Sequence, residues 1–206
     1  MDNHYSYWEN KKVTSEERAI VKYLTKLSNS SKLNILHIGI GCSYLLHRLH
    51  KKYSYIHGIT IAGLEKTKAD NCNISNNKNY LIDKYDNSKL KTSLINIEYD
   101  VLVDINLKSF SPDNTSFNSM FSTFVNKLNP GGFIITSKSG MNWSTNLELK
   151  NNILNQIGDN DRNILTKDEL NELCQVHRLS INEIKITNGF FKKKTEELYL
   201  LRKQDE

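Results

Sequence analysis

The feature that most constrains this chain is a strand, glycine turn and helix start within residues 33–50. Residues 34–38 form a short apolar run rich in β-branched side chains, which predicts a buried parallel strand. Gly39 and Gly41 interrupt the run, and Ser43 is suited to cap a following helix. The apolar positions of that helix are Leu45, Leu46 and Leu49. Because glycine lets a ligand approach the backbone and a helix start offers free N–H groups, the pattern is typical of nucleotide-binding α/β domains.

The composition suits a single α/β domain spanning residues 1–206, of which 38% are hydrophobic. A net charge of +5 permits an anionic partner without requiring one. Cys42, Cys72 and Cys174 are widely spaced, which argues against a disulfide framework or a structural zinc and suits a reducing compartment.

Metal and membrane partners are not expected. His47 and His50 lie three residues apart on one predicted helix, but no supporting carboxylate or cysteine pattern follows them. No apolar run reaches the roughly 18 residues of a membrane span, and the first residues lack the apolar core of a signal peptide. We therefore predict a cytoplasmic protein without a bound metal.

The remaining chain alternates between predicted strands and helices. Strands are predicted at 55–61, 79–83, 99–105 and 133–137, and two final strands at 179–186 and 197–201. Helices are predicted from Thr14 or Ser15 to Leu27, at 63–74 and 117–128, near 146–157, and from the capping box at Thr166 to Val176. This order predicts an α/β fold with a Rossmann-like, doubly wound sheet of about seven strands. We expect a mostly parallel sheet with a C-terminal antiparallel pair and helices on both faces.

The order of these elements resembles the class I S-adenosylmethionine-dependent methyltransferase family over nearly the whole chain. Four segments carry the resemblance: the glycine-rich residues 37–43, the fourth strand at 99–104, the helix–Pro-Gly-Gly–strand segment at 128–136, and residues 166–170 before the closing strand pair. The third of these is the most specific. The resemblance implies a transferase that uses S-adenosyl-L-methionine as its cofactor.

The resemblance also implies roles for individual residues. Cofactor contacts would come from His37, Gly39, Gly41, Ser43, Thr60, Ile61, Asp104 and Asp83, with Asp86 as an alternative to Asp83. Asp104 and Lys138 would be the catalytic candidates, with Asp104 best placed to accept a proton. Tyr7, Trp8, Asn106 and Trp143 would contact the substrate, within an N-terminal helical lid at 1–30, the 106–108 loop and an acceptor-side insert at 138–165.

Thr60 is the main departure from the family pattern. The family commonly has an acid at the end of the second strand, where it accepts hydrogen bonds from both ribose hydroxyls. Thr60 carries no charge and makes only one such bond well, which lowers the expected affinity by roughly 1–3 kcal/mol. Cyclopropane-lipid synthases resemble this chain at that position.

Three functions are consistent with the sequence. The first is methyl transfer to O or N of a small molecule or biosynthetic intermediate. The second is RNA ribose 2′-O-methylation by a tetrad of Lys22, Asp104, Lys138 and Glu197, whose order along the chain is suitable. The third is a degenerate, non-catalytic binding protein. A nicotinamide-binding site is disfavoured, because a third glycine and a ribose-binding acid are not in register. The sequence leaves a homodimer open.

Overall fold

A mixed β-sheet forms the centre of the computed structural model. The structure describes residues 13–27, 32–40, 44–49, 53, 55–60, 67, 80–84, 97–108, 114–141, 164–189 and 194–204. The strands are β1 (Asn34–Ile38), β2 (Tyr55–Thr60), β3 (Tyr80–Lys84), β4 (Tyr99–Asp104), β5 (Leu128–Ser137), β6 (Leu179–Asn188) and β7 (Lys194–Lys203). They lie in the order β3-β2-β1-β4-β5-β7-β6. The first five are parallel, and β7 runs antiparallel to both β5 and β6. The predicted mostly parallel, Rossmann-like sheet with a final antiparallel pair is confirmed.

The described helices are α1 (Ser15–Leu24), α2 (Tyr44–Leu49), α3 (Asn114–Asn126), α4 (Lys138–Met141) and α5 (Lys167–Val176). Two of them begin with a capping box. Thr14, rather than Ser15, caps α1: its hydroxyl accepts from the Glu17 N–H at 3.1 Å, and its own N–H donates to the Glu17 carboxylate at 2.7 Å. Such reciprocal bonds satisfy N–H groups that the first turn leaves unpaired.

Helices cover both faces of the sheet, as predicted, and each face has its own apolar core. Helices α3 and α5 pack on one face through Phe117, Phe121 and Leu170, against strand residues that include Leu102. Helices α1 and α2 pack on the other face against strand residues such as Val103. The period-two alternation of strand side chains sends Leu102 and Val103 to opposite faces.

The largest difference from the predicted elements is at the Pro-Gly-Gly segment. Strand β5 begins at Leu128, five residues before the predicted start. The Pro-Gly-Gly segment is therefore part of the strand and not the turn that precedes it. Leu128 pairs with Tyr99, and the register shifts before Val101 pairs with Phe133. Gly131 adopts a φ of 71°, which is the left-handed region that glycine accommodates at low cost.

The closing strands are also longer than predicted, because their polar ends continue the antiparallel ladder from Leu179 opposite Lys203 to Asn188 opposite Lys194. At the far end of β7 the Lys203 ammonium donates to the carbonyls of Val125, at 3.3 Å, and Leu128, at 2.7 Å. A lysine thus satisfies carbonyl groups around the C-terminus of α3. The predicted helix near 146–157 lies outside the described residues, and so does the predicted helix at 63–74 except for Thr67, which is helical.

Candidate functional site

The carboxyl ends of the central parallel strands form the candidate site. Ile38 of β1 is the register partner of both Ile59 in β2 and Asp104 in β4, and Ile59 in turn pairs with Asp83 in β3. These four positions therefore form one row across four adjacent strands. In open α/β sheets, ligands bind beyond the carboxyl ends of the strands where the strand order reverses, which here is between β1 and β4.

Gly39 continues the chain directly beyond this row. Its φ is 69°, and its N–H donates to the Ile59 carbonyl at 2.9 Å, so the backbone stays beside β2 after β1 has ended. Apart from Gly39 itself and its two chain neighbours, no described atom lies within 4 Å of the position that a Cβ would occupy at Gly39. The sequence predicted a close approach of ligand to backbone at this glycine, and the described structure leaves open space on its Cα.

Two further predicted cofactor residues are buried in the sheet near this turn. His37 is fully buried in β1, and Thr60 is buried at the last position of β2. Backbone pairing sets Thr60 opposite Lys84 of β3, one residue beyond the Asp83 row. The structure thus brings Gly39, Thr60 and the Asp83 backbone position to neighbouring strand ends.

Among the described acids at this edge, Asp104 has a strongly raised pKa. It ends β4 with an exposed fraction of only 7%. Burial raises the pKa of its carboxyl to about 7, although a hydrogen bond from the Asn106 backbone favours the charged form. A carboxyl with a pKa near neutrality exchanges protons readily at physiological pH, and such perturbed groups concentrate at functional sites.

The turn after Asp104 is held by β5 and α4, through contacts that the sequence analysis missed. The Thr136 hydroxyl donates to the Ile105 carbonyl at 3.2 Å. Gly140 lies so close to that carbonyl that an added Cβ would overlap its oxygen, and the Gly140 N–H donates to the Ser137 hydroxyl at 2.8 Å. A lone glycine after a strand gives no local signal of this contact, because the contact forms only when α4 packs against the turn after β4.

Lys108 is placed differently from the sequence prediction. The 106–108 loop was expected to face the methyl group and acceptor, but Lys108 is only 3% exposed. Its ammonium contacts the Glu169 carboxylate at 3.0 Å and lies 5.9 Å from the centre of the Phe117 ring. The side chain therefore extends between α3 and α5, whereas Asn106 is half-buried in the turn and interacts with Asp104 through its backbone.

The predicted tetrad is only partly assembled. Lys138 and Glu197 form a direct ion pair, with side chains 50% and 28% exposed. That contact raises the pKa of Lys138 and lowers the pKa of Glu197, which Lys185 also approaches at 3.3 Å. Lys22 instead donates to the Thr187 carbonyl at 2.7 Å. Thr187 is on β6, three strands from Asp104, a separation of about 14 Å at the usual strand spacing.

Several predicted site residues lie outside the described part of the chain: Tyr7, Trp8, Gly41, Ser43, Ile61, Asp86 and Trp143. Among the residues that the structure does describe, no three His, Cys, Asp or Glu side chains are grouped to hold a metal ion. None of the described helices has the length and apolar character needed to cross a membrane.

Comparison with solved structures identifies the architecture. The fold is similar to that of an S-adenosylmethionine-dependent methyltransferase from Clostridium acetobutylicum, with a TM-score of 0.65 and 14% identity over 98% of each chain. It is also similar to the N-methyltransferase NodS from Bradyrhizobium japonicum, with a TM-score of 0.64 and 16% identity over 92% of this chain and 97% of that one.

A third similar structure is the magnesium protoporphyrin IX methyltransferase from Synechocystis with bound S-adenosylhomocysteine, at a TM-score of 0.62 and 14% identity. That match covers 98% of this chain and 95% of the Synechocystis protein. No protein-family model and no curated protein sequence matches the chain. The chain thus has the class I S-adenosylmethionine-dependent methyltransferase fold, and the resemblance drawn from its sequence is confirmed at the level of architecture.

Proposed function

We propose that this protein is an S-adenosylmethionine-dependent methyltransferase that transfers a methyl group to O or N of a small molecule or biosynthetic intermediate. The observation that carries the proposal is the arrangement of Gly39, Thr60 and Asp104 at the ends of three adjacent parallel strands. The similar structures support it, since they include an N-methyltransferase and an O-methyltransferase family protein. The three cysteines without paired spacing favour a cytoplasmic location.

The residues at this edge fit the cofactor. The open space on the Cα of Gly39 would admit the ligand against the backbone. The buried Thr60 hydroxyl would form one hydrogen bond with the ribose, as donor or acceptor. By resemblance, Gly41 and Ser43 would contact the methionine part, and Asp83 the adenine amine. When bound, the cofactor supplies an electrophilic methyl group on a sulfonium.

Asp104 is proposed to hold and remove the acceptor's proton. Its carboxylate would accept the proton from an O–H or N–H group, leaving a lone pair on the acceptor atom. Because the carboxyl has a pKa of about 7, its charged and neutral forms are both populated near neutral pH. The turn held by Thr136 and Gly140 fixes where this carboxyl lies. Orientation of this kind provides a large share of the rate in a transfer that needs little covalent assistance.

Lys138 is proposed to contact a negatively charged part of the acceptor rather than to act as a base. Its ammonium is half-exposed beyond the end of β5, and the Glu197 carboxylate raises its pKa. A raised pKa makes the neutral amine rarer at physiological pH, so Lys138 is a poor proton acceptor.

The proposed function is tested by methyl transfer from labelled S-adenosylmethionine to a panel of hydroxyl- and amine-bearing small molecules. We expect turnover with at least one class, and a fall of about 100-fold in kcat for Asp104→Asn that exceeds any loss of affinity for S-adenosylhomocysteine. Asp100→Asn, the same change at the other end of β4, is the control and should leave kcat near wild type. Equal losses in both variants would contradict the proposed role of Asp104.

RNA ribose methylation is the second candidate, and the Lys138–Glu197 contact is the observation that favours it. The placement of Lys22 beside Thr187 argues against an assembled tetrad. Lys138→Ala separates the two candidates: retained small-molecule transfer excludes the tetrad. RNA binding with a steep salt dependence, together with loss of RNA methylation in that variant, would favour it. Cofactor binding without transfer to any acceptor would instead support the non-catalytic alternative.

A further inference from the structure

A buried lysine holds the turn that carries Asp104. Lys108 lies four residues after Asp104, at the end of the turn, and its side chain is 3% exposed. A charged ammonium at this depth has lost most of its hydration, so it must be compensated by the protein. The compensation comes from Glu169 at 3.0 Å and from the Phe117 ring, whose centre is 5.9 Å away.

Glu169 serves two elements at once. Its Oε1 accepts from Lys108, while its Oε2 accepts from the Thr166 N–H at 2.9 Å and the Thr166 hydroxyl at 3.2 Å. The same carboxylate therefore closes the capping box of α5 and ties the Asp104 turn to the start of that helix. Both partners of Glu169 lower its pKa, so it stays charged at neutral pH.

The turn is fixed on its other side as well. The Ile105 carbonyl accepts from Thr136 and lies against Gly140, so β5 and α4 hold the beginning of the turn. Lys108 and Glu169 hold its end. Removing either partner of this ion pair would leave the end of the turn without a directional tether, while the contacts at its beginning would remain.

We propose that Lys108 is a positioning residue, which acts through its ion pair with Glu169 to fix the 104–108 turn and thereby the place of Asp104 at the acceptor side of the site. This inference rests on the proposed function for its catalytic consequence. The structural part, a tether between α5 and the turn, is independent of any ligand.

Two substitutions isolate the tether. Glu169→Gln retains the capping box, because glutamine satisfies the same backbone N–H, but it removes the charge that compensates Lys108. Lys108→Met replaces the buried ammonium with an apolar chain of similar length, and the Glu169 carboxylate that it leaves behind is 38% exposed, so water can solvate that charge. Lys203→Met is the matched control, since the Lys203 ammonium also donates to protein oxygens, here the Val125 and Leu128 carbonyls, but lies at the opposite end of the sheet.

The measurement is hydrogen–deuterium exchange of the 104–108 amides in the full chain, with the urea midpoint recorded in parallel. We expect exchange at least tenfold faster in Lys108→Met and Glu169→Gln, with the Lys108→Met midpoint near wild type and wild-type exchange in Lys203→Met. Lys108→Arg should restore part of the protection. Wild-type exchange at 104–108 in both tether variants, or acceleration that only follows a lower midpoint, would overturn the proposal.

Kinetics then test the catalytic consequence. A positioning role predicts a fall in kcat of about tenfold in Lys108→Met, with unchanged affinity for S-adenosylhomocysteine. A fall in cofactor affinity alone would overturn that role. If the wild-type protein binds no S-adenosylhomocysteine, the proposed function fails, and the exchange comparison still decides whether the tether exists.

Discussion

Asp104 and the Lys138–Glu197 pair lie at neighbouring strand ends, yet their surroundings differ. Asp104 is buried, and its pKa is raised because burial removes water from the charged form. Lys138 and Glu197 are partly exposed, and each shifts the pKa of the other so that both stay charged. The comparison shows that burial brings the pKa of one carboxyl near neutrality, whereas an exposed ion pair keeps both of its members charged.

The difference has an energetic counterpart. Burying a carboxyl whose charged form is disfavoured costs stability at neutral pH, so a fold retains one only where something offsets that cost. Exposed ion pairs contribute little to stability and occur widely on protein surfaces. Asp104 is therefore the stronger candidate for function, and the following predictions test that ranking.

The largest expected effect is on the pH dependence of stability. The pKa of Asp104 is about 7 in the folded protein, against 3.8 for an ordinary aspartate, which represents the unfolded chain. Between these two pH values the native state retains a proton that the unfolded state has released. The contribution of Asp104 to stability should thus be full below about pH 4 and decline as pH rises towards 7, by up to roughly 4 kcal/mol. Asp104→Asn should remove this decline, measured by urea unfolding at pH 5 and pH 8.

Asp100→Asn provides the control for that experiment. Asp100 accepts hydrogen bonds from the Asn34 N–H at 2.8 Å and from the Asn129 amide at 2.9 Å, so its substitution should destabilise at both pH values. If Asp104→Asn and wild type show parallel pH dependences of stability, the contrast between Asp104 and the Lys138–Glu197 pair does not hold.

The next largest effect is expected at Gly140. Its Cα lies so near the Ile105 carbonyl that Gly140→Ala must displace the turn after Asp104. We expect a loss of about 2–3 kcal/mol in the free energy of unfolding, measured by urea titration, because overpacking forces backbone shifts. Ser139→Ala, at the exposed neighbouring position, should lose much less. An unchanged midpoint for Gly140→Ala would show that α4 does not hold the turn.

A smaller effect is expected on ligand affinity at Thr60. Thr60→Asp introduces the acid that the methyltransferase family commonly has at the end of the second strand, and it should tighten S-adenosylhomocysteine binding about tenfold, or roughly 1.4 kcal/mol. Thr60→Val should weaken binding, because the hydroxyl is lost. Calorimetric titration of both variants with S-adenosylhomocysteine measures the two effects. Affinities equal to that of the wild type in both variants would place the ribose away from β2.

The smallest effect is expected at Lys138. Because Lys138 is half-exposed and paired only at the surface, Lys138→Ala should leave the urea midpoint and the affinity for S-adenosylhomocysteine unchanged. Its effect should be confined to KM for acceptors that carry a negative charge. A large loss of stability in this variant would remove the distinction between the two regions.

The sequence predicted the local elements better than the contacts between them. Strand β1, with its boundaries at Asn34 and Ile38, follows from a short apolar run, and the Thr166 capping box from residue types at a fixed spacing. The early start of β5 was missed because proline and glycines usually end a strand, whereas here the pairing of Leu128 with Tyr99 overrides that tendency.

The site was predictable to the same extent. Asp104 was identified from its place at the end of an apolar strand, and the structure confirms that it lies there and is buried. The tether from Lys108 to Glu169 spans 61 positions in the chain, and the contact of Gly140 with Ile105 joins α4 to the turn after β4. Neither contact has a local sequence signal, since both arise only when the strands are placed side by side.

The central claim is that the edge formed by Gly39, Thr60 and Asp104 binds the cofactor. Isothermal titration of the wild-type chain with S-adenosylhomocysteine tests it most directly, with Gly39→Ala as the matched variant, because a side chain at a φ of 69° is strained and would also fill the open space. We expect saturable binding at one site per chain, weakened at least tenfold in the variant. Absence of binding at millimolar ligand, or equal binding by both proteins, would contradict the account.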